Sequence, residues 1–260
     1  HQKVEQEVLD KLYYETKGQP GLVSWFGELL TEKYNDSPDK PIGVENWETA
    51  YLYGTRILPN NTVLNLISKA RDPEYVDTVL EIFRTKKKIL FSFDNEKFNY
   101  LYMNGIISYE IETNAENTKE TYVKFASPFI QKRLFNRFAN DIFPHIGELY
   151  DPFDDMDDIY LADNGLCIKA ILNRYQEYIK ANNKWLFKNA PVRSDNRIFE
   201  AIFHFNLYRY LSQFLEPEAS VYPEFPTGNG KVDLIIEFHN HRYALEVKSF
   251  SNQRDRKSVV

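Results

Sequence analysis

At 260 residues, 43% hydrophobic and 15% aromatic, the chain is long and apolar enough to bury a sizeable core, and its 10 glycines and 12 prolines exclude a low-complexity protein. A single cysteine, Cys167, excludes an internal disulfide framework and points to a reducing, cytoplasmic setting; no apolar run reaches the roughly 18 residues of a membrane span, and HQKVEQEVLD does not read as a signal peptide. The net charge of −6 is uneven: residues 184–260 carry 11 basic and 9 acidic side chains against 21 and 29 before them, so a phosphate-binding surface is expected in the last third.

Residues 2–16 repeat Val4, Val8, Leu9, Leu12 and Tyr13 at helical spacing and predict a helix. KGQPG ends it, with Gly18 suited to the position after a helix and Pro20–Gly21 as a break. LVSWFGELLTEKY predicts a second helix, stopped by the polar turn NDSPDKP. From residue 60 the pattern changes. TVLNLISKA and PEYVDTVLEIF predict short helices, the second with Pro73 in its first turn. KILF is a short strand, NEKFNYLYMNG a helix closed by Gly105, and IISYEIET with TYVKFAS a hairpin around NAENTK. Three helices and a terminal hairpin are the pattern of a winged helix, and SPFIQKRLFNRFAND leads out along a further helix.

The stretch DPFDDMDDIYLAD invites a metal reading, yet it lacks the mid-loop glycine and closing glutamate of an EF-hand. Helix-capping aspartates at a domain boundary fit it better. GLCIKAILNRYQEYIKANN and RSDNRIFEAIFHFNLYRYLSQFL predict two more helices before a final group of strands.

The strands KVDLIIEF and RYALEVKS carry the chemistry. A two-residue turn at His239 and Asn240 pairs Asp233 with Glu246, their Cβ atoms about 4.5–5.5 Å apart, and Lys248 shares their face. Val232, Leu234, Ile236, Phe238, Tyr243, Leu245 and Val247 form the opposite, apolar face. Adjacent carboxylates repel unless a cation lies between them, and paired carboxylate oxygens are a ligand set for Mg²⁺. A neighbouring lysine suits the activation of water or the stabilisation of phosphate charge. The bland alternative is an ordinary strand pair with one solvated polar face.

Glu200 in NRIFEAIFHFNLYRYL, a strand in EASVYPEF, Asp233 after Val232, and Glu246–Val247–Lys248 together resemble the core of the PD-(D/E)XK nuclease superfamily. Val232 stands where the family name has proline. The resemblance implies Glu200, Asp233 and Glu246 as ligands of Mg²⁺ or Mn²⁺, and Lys248 as the fourth catalytic residue. Upstream, YETKGQPGLVSWFGELLTEKY resembles the end of the lid in bacterial AAA-like ATPases, which implies a C-terminal piece of such a protein, with homo-oligomerisation through the ATPase part. No GxxxxGK[ST] phosphate loop is present, so ATP belongs only to a fuller chain. The family's helix and strand after the ExK strand would have to follow NQRDRKSVV; taken to Val260 the nuclease-like domain is incomplete.

The expected fold is therefore α+β to α/β: a lid-like helical segment over 1–58, a winged helix over 59–143, an acidic linker and helix over 144–183, and a PD-(D/E)XK-like domain over 184–260. Arg193, Arg197, Lys231 and Arg242 flank the motif and suit phosphate, implying nucleic acid, DNA before RNA, as partner. His204, His239 and His241 are candidate ligands, although the last two read better as a turn. The winged helix's third helix, DNEKFNYLYMNG, is too poor in base to read DNA and is taken as a bridge. Two functions follow: metal-dependent phosphodiester hydrolysis, or a catalytically silent nucleic-acid-binding or assembly module on the same fold.

Overall fold

The computed structural model describes residues 2–33, 35, 37–85, 88–113, 117–145, 158–161, 164–188, 200–215, 219–227 and 230–247. These residues form a mixed α+β protein with nine α-helices and two small antiparallel sheets. The chain divides into two compact units, His1–Leu134 and Phe135–Val260.

The first unit opens with α1 (Gln6–Thr16), four residues later than the periodicity predicts. Val4 is instead drawn into a parallel bridge with Ile42: Glu5 N donates to Ile42 O at 3.0 Å, and Ile42 N to Lys3 O at 2.9 Å. Lys17 and Gly18 both take left-handed backbone and end the helix. Pro20 then starts α2 (Pro20–Glu28), where its missing N–H costs nothing, and a π-helical turn follows over Leu29–Lys33. The next helix, α3 (Val44–Arg56), was not foreseen. Its Trp47, Ala50, Tyr51 and Gly54 recur at 3- and 4-residue steps, so one face meets α2. Phe26 is the centre of that contact, with ring centroids 5.1 Å from Trp47 and 5.2 Å from Phe129.

Beyond it come α4 (Asn61–Ala70), α5 (Val76–Arg84) and α6 (Glu96–Met103). Asn60 and Asn95 cap α4 and α6, their side chains accepting from Val63 N and from Lys97 N and Phe98 N. Pro73 lies before α5 rather than in its first turn, because Asp72 O accepts from both Tyr75 N and Val76 N and closes a separate turn. β1 (Ile107–Thr113) and β2 (Lys119–Phe125) pair antiparallel, and residues 89–91 lie along the other edge of β2, with Phe91 N and Val123 N donating across at 2.8 Å. α7 (Pro128–Ile142) follows.

In the second unit, α8 (Ile168–Leu186) and α9 (Glu200–Leu215) accompany a sheet of order β3-β4-β5, built from β3 (Ser220–Thr227), β4 (Gly230–Phe238) and β5 (His241–Leu245). α9 is largely buried, with Ile202, Phe205, Leu207, Leu211 and Phe214 in the core, and packs on β3. Leu166, just before α8, is tied to the sheet: its N donates to Tyr243 Oη at 2.6 Å. Of the predicted acidic segment DPFDDMDDIYLAD, residues 151–157, 162 and 163 lie outside the described residues, while Tyr160 bridges Leu166 and Asp158 accepts from Arg174 Nη2 at 2.5 Å.

Candidate functional site

The site is built on the β4–β5 hairpin. His239, with φ of 49°, and Asn240 make its two-residue turn, and the ladder runs from Phe238↔His241 to Leu234↔Leu245. The next position on this register is Asp233 with Glu246. β5 does not continue through Lys248 as the sequence reading expects; it ends at Leu245. The physical cause is a change of acceptor. Val247 N donates to the Asp233 carboxylate, Oδ2, at 2.7 Å, so a side chain of β4 takes the place of a backbone carbonyl. Asp233 is half-buried and Glu246 exposed.

The face that carries Asp233 is not simply solvated, as an amphipathic hairpin would have it. Ile235, two residues along on the same face, is 4% exposed, so β4 is covered on both sides in its centre. The opposite face is apolar as the alternation predicts, with Leu234, Ile236 and Phe238 buried. Next to the turn, Glu237 lies across from Arg242, and Arg242 Nε donates to Glu237 Oε1 at 2.8 Å. Arg242 is thus already engaged by a carboxylate on an exposed surface, where such a pair contributes about 0.2–1 kcal/mol.

Sequence reasoning missed one acidic position. The β3–β4 register has Pro223↔Leu234 and Phe225↔Val232, which puts Glu224 of β3 across from Asp233. Positions 224 and 233 therefore share one row of β3 and β4, and 246 is the first residue past the end of β5. The signal was present in VYPEF, but the offset between β3 and β4 is set by the intervening turn and is not legible in strand alternation.

α9 reaches the same row. His204 Nε2 lies 2.7 Å from Asp233 O, and position 200 is one helical turn before His204 on the same helix face. His204 is therefore a link to β4. The Glu200 and Lys231 side chains, and the residues Arg193, Arg197 and Lys248, lie outside the described residues. Among the described residues, no group of three carboxylate, imidazole or thiol side chains converges tightly enough to hold a metal ion.

Behind the site, α8 and α9 share a tyrosine cluster. Tyr175 Oη donates to Asn206 Oδ1 at 2.9 Å, and Tyr210 lies 5.1 Å from Tyr175 and 4.9 Å from Tyr178, centroid to centroid. Burial pushes the hydroxyls of Tyr175 and Tyr178 above the usual tyrosine range and that of Tyr210 up to about 12. All three are neutral at physiological pH, and Tyr175 acts there as a hydrogen-bond donor rather than as a base. No known protein family, curated protein or solved structure matches the chain.

Proposed function

We propose that the chain is a nuclease: a Mg²⁺- or Mn²⁺-dependent phosphodiesterase acting on nucleic acid, DNA in the first place, from the C-terminal part of an AAA-like bacterial ATPase. The observation that supports this reading is the anchoring of the Asp233 carboxylate to Val247 N, one step past the last paired residues Leu234 and Leu245 and next to Glu246 in the chain. Anchoring through Oδ2 leaves Oδ1 of Asp233 for a cation. Asp233, Glu246 and Glu200 would hold the metal, and the acceptor-only chemistry of their carboxylates suits a hard divalent ion. When bound, that ion supplies Lewis-acid polarisation of the phosphate and acidifies a water. Lys248 orients the attacking water or stabilises charge on the phosphate. Lys231, Arg193 and Arg197 would hold flanking phosphates, and Arg242 is the weakest of the four because Glu237 offsets its charge.

The order α4, α5, residues 89–91, α6, β1, β2 supports a winged helix before the nuclease-like domain. Its α6 starts at Glu96, after Asp94, and carries Lys97 as its single basic residue, which favours a structural bridge over a DNA reader. Among the described residues no helix is long and apolar enough to cross a membrane.

Cleavage of plasmid and single-stranded DNA in Mn²⁺, Mg²⁺ and EDTA tests the reading. Metal-dependent cutting that is lost in Asp233→Ala and in Lys248→Ala supports it. Absence of cutting in every metal, with DNA still bound by all three proteins, replaces it with the silent binding module.

A further inference from the structure

His204 is 5% exposed, on a helix face that is otherwise almost wholly apolar, with its ring 4.7 Å from that of Phe135 and 6.4 Å from that of Phe205. A phenylalanine or leucine would suit those neighbours without the cost of burying an imidazole. What the imidazole adds is a donor. Nε2 lies 2.7 Å from Asp233 O, and a carbonyl oxygen only accepts, so Nε2 carries the proton and donates.

The bond meets β4 at a telling residue. Asp233 is the residue whose carboxylate takes Val247 N, where the β5 ladder has stopped. Two hydrogen bonds in series thus join three elements: α9 to the Asp233 backbone through His204, and the Asp233 side chain to the segment after β5. With the carbonyl fixed by the helix, the Asp233 backbone is fixed, and the carboxylate is held at Val247 N. The same helix face carries position 200 one turn earlier.

We infer that His204 is a positioning residue: it locks Asp233 on β4 so that the carboxylate holds residues 246 and 247 in place and keeps its second oxygen in one orientation. That this orientation serves catalysis rests on the nuclease reading above. The locking itself does not.

The test is amide hydrogen exchange by NMR on the whole chain, in wild type, His204→Phe and His204→Gln. Phenylalanine keeps the ring and removes the donor; glutamine keeps a donor at about the distance of Nε2. The inference expects the Val247 amide to exchange on the order of tenfold faster in His204→Phe, with the Ile236 amide unchanged, and His204→Gln to recover most of the protection. Unchanged protection at Val247 in His204→Phe overturns it. So does a loss shared equally by Val247 and Ile236, which describes a packing residue and nothing more. The Mn²⁺ concentration for half-maximal cleavage, read on the same proteins, is expected to rise about tenfold in His204→Phe and to return with glutamine. A wild type that never cuts, together with the selective exchange pattern, removes the nuclease reading and leaves His204 as the lock on Asp233.

Discussion

Asp233 accepts the Val247 amide at Oδ2, and in the proposed function its Oδ1 would hold a cation. These uses separate by substitution. Asp233→Asn retains an acceptor for Val247 N but has lost its charge, so its thermal midpoint should stay near wild type while metal-dependent cleavage falls by more than about a hundredfold, beyond the usual effect of altering only an outer-shell partner. Calorimetry beside a cleavage time course checks both halves. Tyr175→Phe probes the cluster behind the site. Asn206 is 0% exposed and its Oδ1 would lose the Tyr175 donor, so denaturant unfolding should show a loss of about 1–3 kcal/mol. At this scale the two-residue turn at His239 and Asn240 and the register it sets, from Phe238↔His241 to Leu234↔Leu245, were legible, because alternation and turn length dictate who faces whom; Asp233 and Glu246 lie one step past the last paired residues. The sequence did not expose the Asp233–Val247 bond, in which a side chain replaces a strand carbonyl, or the role of His204, which depends on how α9 lies over the sheet.

Elements with a strong local signal were legible: the helices α4 and α6, the β1–β2 hairpin, and the close of α6 at Gly105. Gly105 has φ of 70°, and an added Cβ would sit 3.4 Å from Gln19 Nε2. Gly105→Ala should therefore cost about 1–2 kcal/mol, mostly from the left-handed backbone, measurable as a lower urea midpoint with unchanged m-value. Elements whose signal is tertiary were not legible. α3 was missed because its face, Trp47 to Gly54, follows a proline-rich turn and mixes tyrosines with acids. Val4 was assigned to a helix because its period matched, although Ile42 claims it as a bridge partner. Between α1 and α3, Tyr51 Oη donates to Glu15 Oε2 at 2.7 Å, with Lys132 Nζ 4.7 Å from the Tyr51 ring. Burial pushes the Glu15 carboxyl up, against the pull of the Tyr51 bond and of Lys132. The folded state then binds the Glu15 proton more tightly than the unfolded chain does. This term favours folding below the ordinary value of about 4.5 and is lost as pH rises through the elevated folded value. Urea unfolding between pH 4.5 and 8 should show that decline in wild type and a shallower one in Glu15→Gln.

For the molecule as a whole, the mixed α+β class was legible from the change of periodicity along the chain, and the last strands were recognisable as the place where charge interrupts apolar runs. The second unit holds α8, α9, their tyrosine cluster and the β3-β4-β5 sheet, while the first holds α1 to α6 and the β1–β2 sheet. The central strand β4 is buried on both faces around Ile235 and Ile236, so Ile236→Ala should destabilise that unit by about 2–5 kcal/mol and take any cleavage with it on warming. A loss of that kind tracks unfolding, whereas loss at Asp233 should occur in a folded chain. That contrast separates a scaffold from a site. The most direct measurement is Mn²⁺ titration of the folded protein, followed by the electron paramagnetic resonance signal of the free ion, in wild type and in Asp233→Asn. The account predicts bound Mn²⁺ in wild type and little in the variant at the same concentrations. Equal binding by both proteins, or none by wild type, would contradict it.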